Sequence, residues 1–209
     1  MSDDHKALLE EAKSGSPKAL QQLLVVHRPR LRKMVSIRLH PMVKTRVDES
    51  DILQDALLDA SMRIGDYFEK CSMPFFLWLR FITNQKIQQC HRQHLDTKKR
   101  STRRHRQTSL EDSASVNMAD QLVSRESTPS SILVSKESVN RVRIVLNSLN
   151  ETDREILCLR HFEQLSNAEV AETLDIPSTN ASSRYLRALA KLQKGLESLS
   201  QLAPEQEEK

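Results

Sequence analysis

The chain has 209 residues, a net charge of +4 and 38% hydrophobic residues, enough to build one or two small cores rather than one large one. No apolar run approaches the roughly 20 residues needed to cross a bilayer, and the polar opening MSDDHK is unlike a signal peptide, so a soluble cytoplasmic protein without a membrane partner is expected. Three cysteines, Cys71, Cys90 and Cys158, show no paired spacing, which argues against a disulfide framework or a zinc finger.

Only three glycines among long runs of Leu, Ala, Gln, Glu, Lys and Arg predict an all-α protein, because these residues lose little side-chain freedom in a helix. The first helical segment runs from about Leu8 to Leu39. Ser16 and Pro17 mark a restart within it, as a capping serine followed by a proline at the first helical position. Pro29 predicts a kink or break near His27 and Arg28, since it removes a backbone donor and crowds the preceding turn.

A second helix is predicted from Asp48–Ser50 to about Ile64, with Leu53, Ala56, Leu57, Ala60 and Ile64 facing inward. Asp51, Asp55 and Asp59 recur every fourth residue beside Gln54, an acidic stripe suited to solvent or to a basic partner. A third helix starts after Pro74, in PFFLWLRFITNQKIQQCHRQH. Phe75, Phe76, Trp78 and Phe81 precede Lys86, His91, Arg92 and a basic cluster at Lys98, Lys99, Arg100, Arg103, Arg104 and Arg106. Rings beside cations suit unpaired nucleic-acid bases and their phosphates, although aromatic residues on an amphipathic helix also build cores. His91 and His94 beside Cys90 form too small a set to predict a metal site.

Residues 101–138 are rich in Ser, Thr, Asp and Glu and read as a flexible linker, with a short helix around Asn117–Ser124. A second helical domain follows over 139–200, before an acidic tail at 201–209. Within it Asn150 caps one helix, and Ser166 with Glu169 forms a capping box for the next. Asp175 and Ile176 then turn the chain into a last helix with Ala181, Tyr185, Ala188, Leu189 and Leu192 on one face. Ser178, Thr179, Asn180, Ser182, Ser183, Arg184 and Arg187 lie on its other side or borders. A short helix, a tight turn and a helix with a polar N-terminal half match a DNA-reading helix-turn-helix.

VDESDILQDALLDA, PFFLWLRFITNQKIQQ and LNETDREILCLRHFEQLSNAEVAETLDIPSTNASSRYLRAL stand in the order of a bacterial RNA polymerase sigma factor, and the chain resembles the extracytoplasmic-function group of the sigma-70 family over most of residues 8–198. The resemblance implies a region 2-like domain over 8–100 and a region 4-like domain over 139–200. It implies core RNA polymerase as partner, met through the β′ clamp helices and the β flap, and promoter DNA, with an anti-sigma factor as a further family partner. Asp51, Gln54 and Asp55 match the polymerase-docking motif. Trp78, Asn84, Lys86 and Arg92 match positions for −10 recognition and melting, with the loop Asp66–Pro74 resembling one that receives a flipped base. Ser183, Arg184 and Arg187 match the −35-reading pattern. Asp175 replaces the usual turn Gly, and Ser182 a frequent Lys. The family implies no catalysis, cofactor or metal. A conventional helix-turn-helix regulator is the alternative, and a polymerase-binding decoy that never opens DNA a third reading.

Overall fold

The computed structural model describes residues 3–95, 105–124 and 132–202. The chain is all-α, and it divides into a unit over Met1–Arg103 and a unit over Arg104–Lys209.

The first unit comprises α1 (Asp3–Lys13), α2 (Pro17–Arg38), α3 (Pro41–Lys44), α4 (Glu49–Met62), α5 (Ile64–Lys70) and α6 (Phe75–Leu95). Its frame is the mutual packing of α2, α4 and α6, with α1 against α2. Local signals set the starts. Ser16 caps α2, accepting from the Ala19 N–H at 3.3 Å, and Asp48 caps α4, accepting from the Ser50 N–H at 2.7 Å. Met34, Val35, Leu39, Val43, Ile52, Ile87 and Cys90 form one apolar cluster beneath them.

Three expectations are corrected in this unit. Helix α2 runs from Pro17 to Arg38 with Pro29 inside it, so of the expected kink or break the break does not occur. Leu23, Leu31, Met34, Val35 and Ile37 are buried on both sides of that proline, and this packing outweighs the ~3 kcal/mol a helix-interior proline costs. The carbonyl it leaves without a donor belongs to Val25, on the solvent side. Second, the inner face of α4 is Ile52, Leu53, Ala56 and Ala60, whereas Leu57 and Ile64 are half-buried. Third, helix α5 takes most of the expected loop Asp66–Pro74, and only residues 71–74 leave the helical state. The Tyr67 hydroxyl donates to the Met73 carbonyl at 3.1 Å and closes this short connection.

Histidines tie the small helices to the frame. His5 of α1 meets His27 of α2 through their Nε2 atoms at 2.7 Å, and His91 Nε2 of α6 accepts the His40 N–H at the start of α3 at 3.1 Å. Burial, and then the neighbouring His40, push His91 down to about 4 from the usual 6.5. His91 therefore stays neutral in the fold while the unfolded chain protonates it. Stability of this unit is expected to be constant above pH 6.5 and to fall progressively toward pH 4. Urea midpoints read across that range should show the slope, and His91→Gln, which retains an acceptor, should flatten it.

The second unit comprises α7 (His105–Ser124), α8 (Ile132–Ser148), α9 (Glu151–Leu157), a π-helical turn (Cys158–Phe162), α10 (Asn167–Leu174) and α11 (Ser178–Leu202). Helix α11 packs on α8, α9 and α10, and α7 packs on α8. The stretch read as a linker therefore contains all of α7, longer than the short helix expected near 117–124, and the start of α8. Its polar composition concealed a packed face in which Ser115, Asn117, Met118 and Ala119 are buried. The basic residues Lys98, Lys99, Arg100, Arg103 and Arg104, and the tail from 203 onward, lie outside the described residues.

Asn150 caps α9 by accepting from the Asp153 N–H at 2.8 Å, as expected. The π turn that continues α9 was not anticipated; it buries Cys158, Leu159 and Phe162. Non-glycine residues at positive φ mark both sides of α10, Gln164 (φ 60) and Asp175 (φ 52). A side chain in the left-handed region costs about 1–2 kcal/mol, less for Asp, while glycine at the same place costs unfolded-state entropy. Gln164→Gly is accordingly expected to stabilise by about 0.5–1 kcal/mol and Asp175→Gly by less, read as shifts in the urea midpoint.

Candidate nucleic-acid interface

The helix-turn-helix is α10, the turn Asp175–Pro177 and α11. Ser166 Oγ accepts from the Glu169 N–H at 3.2 Å while the Ser166 N–H donates to Glu169 Oε2 at 2.7 Å, which completes the capping box. Asp175 takes the left-handed cap conformation, and the Ile176 N–H donates to the Ala171 carbonyl at 2.9 Å. This aims α11 away from α10. Ala181 and Ala188 are fully buried against the neighbouring helices, so the opposite side of α11 is free.

That side carries Ser178, Thr179, Asn180, Ser183 and Arg187 exposed and Ser182 and Arg184 half-exposed. Small side chains over the first two turns let the backbone approach a groove, and guanidinium groups pair with guanine edges or phosphates. Three of these residues have internal partners, the first being Ser183, whose hydroxyl donates to the Thr179 carbonyl at 3.2 Å. Ser182 Oγ accepts from Asn167 Nδ2 of α10, and Arg187 Nε donates to the Ser183 carbonyl at 3.3 Å. Arg184, Arg187 and Lys191 line a cleft of about 290 Å³ with Asn150, Thr152 and Asp153, in which Lys191 forms an ion pair with Asp153.

In the first unit, Asp51, Gln54 and Asp55 are all exposed on α4. The same face continues one and two turns on with Leu58, 58% exposed, and Met62, 71% exposed. Asp59, which belongs to the acidic stripe in the sequence, is turned toward α6. It pairs with Lys86 at 3.1 Å and with Arg63 at 3.4 Å, and Arg63 reaches Gln85 at 3.3 Å. Lys86 is thus engaged within the unit.

Trp78 does not present its ring to solvent. It is 8% exposed and packs on Tyr67 and Phe75 with ring centroids 4.8 and 5.7 Å apart. Phe81, 49% exposed, is the outward ring of α6. Half-exposed Asn84 and exposed Gln85, Gln88 and Arg92 share its face at helical spacing.

Residues 140–192 match the model of sigma-70 region 4. The chain is 23% identical over 195 residues to the ECF RNA polymerase sigma factor SigW of Bacillus subtilis (strain 168), covering 93% of this chain and 97% of that protein. Over these stretches the chain is similar to sigma-70 factors of the extracytoplasmic-function group. The fold is also similar to that of CnrH, solved in complex with the cytosolic domain of CnrY, with a TM-score of 0.55 and 22% identity over 94% of this chain and 99% of that one.

On α4 and α11, four exposed residues escaped the sequence reading. Leu58 and Met62 extend the acidic face of α4. Leu186, 64% exposed between Ser183 and Arg187, and Lys191 extend the outward face of α11. The signal for each was available as a step of three or four residues from a residue already singled out. Leucine and methionine are assigned to cores by default, and that default hid three of the four.

Proposed function

We propose that this sigma factor binds core RNA polymerase through the α4 face of Asp51, Gln54, Asp55, Leu58 and Met62, reads the −35 element with α11 and opens the −10 element along α6. The supporting observation is the outward N-terminal half of α11, a run of small polar side chains and arginines standing clear of the domain core within the stretch that matches sigma-70 region 4.

Ser178, Thr179, Asn180 and Ser183 bring the backbone to the groove, Arg184 and Arg187 contact bases or phosphates, and Leu186 supplies an apolar contact for a thymine methyl. On α6, Phe81 offers a stacking surface, Asn84, Gln85 and Gln88 offer amides to base edges, and Arg92 holds phosphate. Lys86 reaches phosphate by leaving Asp59. Trp78 acts indirectly, by holding the α5–α6 connection. Extruding a base costs a few kcal/mol, which binding of the separated strand offsets. The protein performs no covalent chemistry, acts in the cytoplasm where the polymerase is, and is a candidate for control by an anti-sigma factor, given the CnrH complex with CnrY.

Run-off transcription with core polymerase over genomic fragments tests this reading. Discrete new start sites, with permanganate-reactive thymines near −10, are expected. DNA binding by the protein alone without transcripts would favour a conventional regulator; polymerase binding without reactive thymines would indicate a decoy.

A further inference from the structure

One carboxylate stands among the cations of the second unit's cleft. Helix α11 packs on α9, and Arg184, Arg187 and Lys191 of α11 line the cleft together with Asn150, Thr152 and Asp153 at the start of α9. Asp153 is held from two sides. Its N–H donates to Asn150 Oδ1 at 2.8 Å, and Asn150 Nδ2 donates to its Oδ2 at 2.9 Å. Lys191 Nζ pairs with the same Oδ2. Asp153 is buried and Lys191 exposed, so the carboxylate is the fixed partner and the ammonium the movable one.

Arg184, Arg187 and Lys191 follow one another at helical spacing and share a stripe of α11, which continues the outward face that carries Ser183. Cations placed in this way beside a groove meet backbone phosphates, and such contacts supply essentially all of the sequence-independent affinity for DNA. A carboxylate at their side works against that affinity. It repels phosphate, and it occupies the ammonium that phosphate would take. The exchange does not strand Asp153: an exposed ammonium gains little from a single ion pair in water, and the carboxylate keeps the Asn150 amide when the lysine leaves.

We propose that Asp153 competes with DNA for Lys191: it holds the ammonium in the free protein and yields it to a backbone phosphate when α11 enters the groove. This rests on the duplex-reading role of α11 proposed above. Phosphate carries no sequence information, so the competition lowers affinity for every duplex alike and leaves the choice between bases to the rest of α11.

Anisotropy titrations of the full chain against a fluorescent random-sequence duplex, repeated over a range of salt concentrations, test the competition. Lys191→Gln is expected to weaken binding and to lower the slope of log K against log salt by about 0.9, the share of one phosphate contact. Asp153→Asn, which keeps an oxygen for the Asn150 amide, is expected to tighten binding several-fold with little change in slope. The same substitution should tighten the Lys191→Gln protein far less, since the contested cation is gone. An unchanged slope in Lys191→Gln would show the pair to be a fixed strut between α9 and α11 and overturns the proposal. Weaker duplex binding by an Asp153→Asn protein with an unaltered melt overturns it too, and where that variant does not fold, the Lys191→Gln slope decides alone. If the unaltered protein shows no salt-dependent duplex binding, the reading of α11 falls together with the proposal; a failure of the proposal alone leaves that binding in place.

Discussion

Replacing Asp51 and Asp55 together by Lys is expected to weaken binding to core RNA polymerase by at least about 100-fold, since truncating a charge paired across an interface costs about 2–5 kcal/mol and reversal adds repulsion. The fold should survive. Both side chains are exposed, and the change exchanges one like-charged pair at helical spacing for another. The main internal cost is a cation in the first turn of α4, about 0.3–1 kcal/mol against the helix dipole. A fluorescence titration with core polymerase, beside a thermal melt, separates the effects; unchanged affinity would reject α4 as the docking face. Leu58→Ala alone should weaken binding without altering the melt, because that side chain already stands in water.

Trp78→Ala is expected to remove about 3–5 kcal/mol of stability from the first unit, the usual cost of deleting a buried aromatic side chain. The ring fills the space between Tyr67 and Phe75, and Tyr67 in turn donates to the Met73 carbonyl in the connection to α6. Because whole domains are stable by only about 5–15 kcal/mol, transcription should fail through unfolding. Trp78→Phe should restore most of both. Phe81→Ala provides the contrast, with an unaltered urea midpoint and slower promoter opening. A full-stability Trp78→Ala protein that still failed to open DNA would return the base-facing role to the tryptophan.

The features legible in the sequence were those decided locally. Ser16, Asp48, Asn150 and Ser166 each cap a helix where the sequence predicted one, because a cap involves only a side chain and a backbone group two or three residues away. The face of α11 was equally readable, since alternation of alanine and polar residues fixes its phase. The failures involve distant partners. Pro29 sits inside a continuous helix because residues brought in from elsewhere bury both of its flanks. The phase of α6 could not be read at Phe75–Leu79, five consecutive buried residues without a helical period, so the sequence offered four aromatics and no means of choosing Phe81. Helix α7 was read as only a short helix near 117–124 for the opposite reason, since its buried residues include Ser115 and Asn117.

On the promoter reading proposed above, the bond between Asn167 and Ser182 bears on which promoters the protein selects. Ser182 lies in the N-terminal half of α11, which would face the groove, at a position where the sigma factors that the chain resembles often carry lysine, and its hydroxyl is engaged by α10 as a strut. A side chain occupied in this way contributes little to discriminating one base from another. The Ser183 hydroxyl is held likewise, by the Thr179 carbonyl at 3.2 Å, so the vocabulary of the helix contracts to Arg184, Leu186 and Arg187. An aligned set of its −35 elements would accordingly carry its information in a few adjacent base pairs, with a nearly silent column where Ser182 passes over the groove.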